Sequence, residues 1–162
     1  MSVVAIPEFQ KVLIQPPTSF PPTLSPNAPL PALRPGQILV RVHAVALNPT
    51  DYKMPTSFPS PGAVCGCDFA GQIAAVAADN ICNPHQQKQQ QQQCESSQRV
   101  LKPGDAVFGA VHGSNPIDHA TGTFAEFVAA DAALVCTLPE AMKWEQAATW
   151  GGIGWGTLGI AL

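Results

Sequence analysis

Apolar residues fall at every second position between residues 37 and 47. Ile38, Val40, Val42, Ala44 and Ala46 face one way; Leu39, Arg41, His43, Val45 and Leu47 face the other. A period of two predicts a β-strand with one wholly apolar face and one mixed face. Residues 69–78 repeat the pattern and predict a second strand. Shorter strands are expected at 99–101, 106–111, 123–129 and 134–138, at a spacing that suits a small antiparallel barrel. Lys102-Pro103-Gly104-Asp105 supplies the proline and glycine that a tight reversal needs. Upstream, residues 16–35 are crowded with prolines, which remove ladder donors and fix φ, so this stretch reads as an extended loop after an early strand. Beyond Pro139 the helix formers Glu140, Ala141, Met142, Lys143, Glu145, Gln146, Ala147 and Ala148 predict a helix.

One segment breaks the alternation. Residues 82–98 carry a tract that is all glutamine from 86 to 93 except for Lys88. Such a composition cannot bury enough apolar surface to offset its ordering entropy, so it reads as a disordered insertion between two strands. A length of 162 residues suits a single domain. Its expected extent is 1–145, with 146–162 beginning a connection to a further domain. The net charge of −3 gives no reason to expect a nucleic acid or an anionic membrane as partner. The N-terminus lacks a basic region followed by a long apolar run, so an intracellular, cytoplasmic location is expected. Five irregularly spaced cysteines fit reduced thiols better than a closed disulfide framework.

Two blocks carry the candidate chemistry: Ala46-Leu47-Asn48-Pro49-Thr50-Asp51-Tyr52-Lys53 and Gly66-Cys67-Asp68-Phe69-Ala70-Gly71. The first leaves the strand at 37–47 and turns at Asn48-Pro49, placing Thr50, Asp51, Tyr52 and Lys53 where polar groups can face a cleft. Cys65 and Cys67 could hold a metal with His43, His112 or His119, but two thiols flanking a glycine read more simply as core residues. His43, His85, His112 and His119 have no partners in sequence and read as surface or satisfied core residues. Gly154-Trp155-Gly156-Thr157-Leu158-Gly159 spells G-x-G-x-x-G, yet a dinucleotide fingerprint needs a strand before it, and helix formers stand there instead. The apolar tail 147–162 is interrupted by glycines and falls short of the roughly 18–20 residues that cross a bilayer.

These blocks, with Lys-Pro-Gly-Asp-Ala-Val-Phe-Gly at 102–109 and Gly-Thr-Phe-Ala-Glu-Phe-Val at 122–128, resemble the catalytic half of the medium-chain dehydrogenase/reductases. Within that superfamily the chain is most similar to the zinc-free quinone oxidoreductases, and especially to the trans-acting enoyl reductases that serve fungal polyketide synthases. The resemblance implies a mainly β fold: a GroES-like, partly open β-barrel with a C-terminal helical segment, lacking the Rossmann domain of full-length relatives. It implies NADPH as cofactor, with Thr50, Asp51, Tyr52 and Lys53 lining the cofactor cleft and Lys53 also catalytic. Asp51 has a second reading, as the cap of a following helix. Catalytic zinc in the superfamily needs a cysteine where this chain has Asn48 and a histidine where it has Cys67, so no metal is expected. Asp68 takes the place of a glutamate found beside that zinc and reads as a structural hydrogen-bonder.

A glycine-rich segment like that of 147–162 lies at the joint of the two domains in the reductases. This implies that Gly154, Trp155, Gly156 and Thr157 contact substrate, with the Thr157 hydroxyl bonding substrate or carboxamide; the plainer reading is a glycine-rich turn in a packed helix pair. The implied function is reduction of α,β-unsaturated polyketide intermediates on the acyl carrier of a polyketide synthase or a synthase–peptide synthetase hybrid, by an enzyme that is monomeric when complete. The alternatives are a quinone or alkenal oxidoreductase of the same superfamily and a truncated, non-catalytic GroES-like binding module. Such an enzyme would continue beyond Leu162, so half of an enzyme is expected here.

Overall fold

The computed structural model describes residues 5–17, 21–77 and 101–161. The glutamine tract and the start of the strand expected at 99–101 lie outside them. Strand β3 (Gln37–Ala46) is the long alternating segment, and it pairs antiparallel with β4 (Asp68–Val76) on one side and β6 (Phe127–Asp131) on the other. Adding β5 (Ala106–Ala110) and β7 (Val135–Thr137) gives a sheet of order β6-β3-β4-β5-β7. Strands β1 (Phe9–Ile14) and β2 (Thr23–Pro29) form a separate antiparallel pair, which reaches the rest through bridges Val12 to Ala125 and Ile14 to Val64. Every strand pairing among the described residues is antiparallel, so the architecture is mainly β with open sheets, as the resemblance implies.

The period of two in β3 separates two packing surfaces, as alternation requires. Ile38 and Val40 join Phe69, Ile73, Val107 and Val128 in one buried cluster, while Leu39 joins Ala74 and Phe127 in another. A third cluster forms where the short helix α2 (Trp144–Ala148) lays Ala147 and Ala148 on Ala70. Trp144 fixes the same helix to β3 by stacking on His43, ring centroids 4.7 Å apart.

Four expectations are corrected. The proline-rich stretch is not all loop: Thr23–Pro29 is strand. Its register with β1 shifts between Gln10 and Val12, which puts Pro26 at the irregularity where no ladder donor is required. The amide of Lys11 at that point bonds Glu126 Oε2 at 2.8 Å. The strand expected at 123–129 begins only at Phe127, because Thr123 and Phe124 bond back to Gly66 and Cys65. The helix expected from 140 starts at Trp144, after a turn closed by Met142 N to Pro139 O. Finally, the glycine-rich tail is helix: α3 spans Ile153–Ala161.

Backbone packs directly on backbone just before β4, at residues 64–66. Gly66 takes φ +89°, and a Cβ there would lie 2.3 Å from the Phe124 ring. A Cβ on Gly113 would lie 2.0 Å from Gly66 O, and one on Gly122 2.4 Å from Val64 O.

Candidate active site

Strand β3 ends into helix α1 (Pro49–Ser57) through Asn48, whose extended backbone starts the first turn. Pro49 at the first helical position loses nothing, since its N–H would lack an intrahelical acceptor. Asp51 then reaches back: its Oδ2 accepts from Asn48 N at 2.7 Å, one half of a capping box. The sequence puts these four candidates in one helical turn, and the structure separates them by exposure. Asp51 is buried and serves the helix cap, the second of its two readings. Thr50 is half-buried, whereas Tyr52 and Lys53 are exposed, and the Lys53 side chain has no ion pair or hydrogen bond with any described residue.

Asp68, at the start of β4, is 1% exposed and uses both carboxylate oxygens. Oδ2 accepts from Asn48 Nδ2 at 3.0 Å; Oδ1 accepts from the backbone N–H of Ile153, the first residue of α3, at 3.1 Å. The hydrogen-bonding role expected of it is therefore observed, but its partners stand 20 and 85 residues away and no local signal announces them. Cys67 lies between the two acids, as buried as the core reading of Cys65 and Cys67 requires.

Burial governs the electrostatics here. It raises the pKa of Asp51, against the Asn48 amide and the Cys67 thiol, which favour the ionised form. It raises that of Asp68 too, opposed by the bonds from Ile153 and Asn48 and reinforced by the charge of Asp51. For Cys67, burial and then the charges of Asp51 and Asp68 outweigh a bond from the Gly113 amide, and the pKa is pushed up to about 12. A metal takes cysteine as thiolate, the form this environment disfavours. Asp51 Oδ1 remains buried without a hydrogen bond; the neighbouring thiol eases its charge without completing one. Among the described residues no set of three or more His, Cys, Asp or Glu is placed to hold a metal ion.

Helix α3 carries the other candidates, Gly154, Trp155, Gly156 and Thr157, all exposed. Thr157 Oγ1 donates to Ile153 O at 2.8 Å, so towards a ligand the hydroxyl acts as an acceptor. It suits a carboxamide N–H better than a carbonyl oxygen. Nothing lies within 4 Å of where a Cβ would stand at Gly156 or Gly159. Glycine in a helix interior costs ~1 kcal/mol relative to alanine, and packing within the described residues does not require it here. Low walls of this kind fit the close approach of a flat ring. Trp150 and Trp155, ring centroids 4.8 Å apart, present an apolar surface beside them.

Comparison with known proteins follows the same lines. The family model described as "Alcohol dehydrogenase GroES-like domain" matches residues 34–140. The trans-enoyl reductase ccsC of Aspergillus clavatus is 50% identical over 136 residues, covering 84% of this chain and 34% of that protein. The chain thus spans about a third of the length of this relative. An alcohol dehydrogenase superfamily protein from Novosphingobium aromaticivorans superposes with TM-score 0.66 at 28% identity, over 88% of this chain and 38% of the other. A mycobacterial protein solved in complex with NADPH shares the fold with TM-score 0.63 at 21% identity, over 86% and 37% of the two chains.

Proposed function

Because this chain belongs to the family of alcohol dehydrogenase GroES-like domains, we propose that it forms the catalytic-domain side of an NADPH-dependent enoyl reductase that acts in trans on α,β-unsaturated polyketide thioesters. The observation that carries the reading is the 50% identity to a trans-enoyl reductase over most of this chain. That the mycobacterial neighbour binds NADPH supports the choice of cofactor. A metal-free reaction is part of the proposal: Asn48 offers no thiolate, and the Cys67 thiol is held protonated between two carboxylates.

NADPH, when bound, supplies the hydride to the β-carbon of the enoyl group. The residues of α1 and α3 fit its nicotinamide end. Thr157, with a free acceptor lone pair, would hold a carboxamide N–H, and Gly154 and Gly156 would leave room for the ring. Thr50 and Tyr52, on α1, would line the same cleft. Reduction leaves negative charge on the thioester oxygen and demands a proton at the α-carbon. Lys53, exposed and unpaired among the described residues, is the ammonium available to stabilise that charge. The substrate would arrive on the acyl carrier of a polyketide synthase or hybrid synthase, against the surface beside Trp155.

Grafting residues 1–162 in place of the matching third of the A. clavatus enzyme tests this. The expected result is NADPH oxidation that depends on a crotonyl thioester and not on a quinone. Turnover of quinone alone would transfer the chain to the quinone and alkenal reductases; a folded graft inert to both would leave a binding module.

A further inference from the structure

The polar group that the proposed reaction does not use is the best-satisfied one in the site. Asp68 is buried, and its two oxygens serve two different helices. One receives Asn48, the residue that opens α1; the other receives the N–H of Ile153, the residue that opens α3. At α1 the donor is the Asn48 side-chain amide; at α3 it is one of the first backbone N–H groups, which have no intrahelical acceptor and carry the positive dipole end, so there the carboxylate is both a partner and a counter-charge. The chain is shaped for this approach. A Cβ on Gly151 would lie 2.6 Å from Gly109 O and 2.8 Å from Asp68 Cβ, so only glycine brings the strand end and the helix start this close. A Cβ on Gly152 would lie 2.7 Å from that of Ala110.

We infer that Asp68 is a positioning residue that fastens the opening turns of α1 and α3 to a single carboxylate, so that the helix bearing Lys53 and the helix bearing Thr157 keep a fixed relation across the start of β4. The role of that relation, to hold the two walls of a nicotinamide cleft, rests on the reductase reading; the fastening itself does not. Hydrogen bonds to a buried ionised group are stronger than neutral ones, and their loss leaves donors unpaired. Ion pairing does not supply the restraint, because both of these Asp68 bonds come from uncharged N–H donors.

Amide hydrogen exchange on the 162-residue chain without cofactor tests the tie, and a parallel NADPH titration of the graft tests the cleft, so that either can fail alone. In Asp68→Ala the hydrogen-bonded amides of Asp51, Ile153 and Gly156 should exchange roughly tenfold faster or more, while those of β3, β4 and β6 keep wild-type rates. Asp68→Asn retains one acceptor and gains a donor, so one helix should loosen and the other stay protected. The double variant Asn48→Asp with Asp68→Asn exchanges donor and acceptor across the same pair. The amide introduced at position 68 would then accept from the Ile153 N–H and donate to the carboxylate introduced at position 48, and protection should return at both helices. If Asp68→Ala does not fold, the Asp68→Asn variant and the double variant decide the matter. Unchanged exchange at both helices, acceleration spread evenly through β3, β4 and β6, or failure of the double variant to restore protection would each overturn the inference.

Discussion

Buried carboxyls without a cationic partner set the pH response at the scale of single residues. The pKa of Asp51 is raised above its ordinary 3.8, chiefly by burial. A group with a raised folded-state pKa contributes stability that is full below the unfolded value and is lost as pH rises through the folded one. Wild-type stability should therefore fall over the window above pH 3.8, with Asp51 and Asp68 each contributing. In Asp51→Asn the side-chain oxygen can still accept from Asn48 N, while the buried charge is gone. Denaturant unfolding from pH 4 to 7 should show a smaller fall, and stability at pH 7 at or above wild type; a loss of ~1 kcal/mol or more at pH 7 would contradict this. Lys53 belongs to the same scale. In the grafted enzyme Lys53→Ala should lower turnover or cofactor affinity by roughly 10². Unchanged kinetics would leave it a solvated lysine. Thr157→Val, which removes an acceptor but keeps the shape, should raise the apparent KM for NADPH and leave that for the thioester unchanged. Residue chemistry of this kind is partly legible in the sequence: the capping role of Asp51 follows from residue type and spacing, and the family resemblance singles out the Asn48 and Cys67 positions. The Asp68 bonds are not, because a backbone N–H at Ile153 has no sequence signature and lies 85 residues away.

At the scale of elements, legibility follows periodicity. Strands β3 and β4 alternate and are buried, so their residues announce them; β2, with the sequence Thr-Leu-Ser-Pro-Asn-Ala-Pro and a largely exposed burial pattern, has no such period to read. It exists because β1 offers a free edge, and the irregularity in their register absorbs a proline. Helix α3 is hidden for a different reason. Its glycines have low helix propensity and read as a turn, yet nine residues are helical, Thr157 bonds its own turn and Asp68 holds the first N–H. Gly156→Ala and Gly159→Ala should each stabilise that helix by about 0.5–1 kcal/mol, since no atom stands where the methyl would go. Helix exchange protection in the chain should rise with each substitution, whereas NADPH affinity of the graft should fall if these positions border the nicotinamide. A rise in both would mean that the glycines border nothing.

At the scale of the whole molecule, the C-terminal segment carries several of the exposed apolar side chains. Trp150, Trp155, Leu158 and Ile160 are 46%, 53%, 58% and 90% exposed, and no charged residue lies within α3. Exposed apolar side chains with no charge among them favour association. The 162-residue chain should elute on size exclusion with a concentration-dependent apparent mass, and Trp155→Lys with Ile160→Lys should restore monomeric elution; a wild-type chain that stays monomeric at high concentration would contradict the expectation. The glycine crossing just before β4 bears on a different property, the routes open to mutation. At most packed positions an oversized residue can be compensated by shrinking its neighbour. Where Gly113 meets Gly66 O and Gly122 meets Val64 O, the neighbour is main chain, which has nothing to trim. Suppressors of Gly113→Ala or Gly122→Ala should then be absent from the contacting residues, leaving reversion as the only local way back.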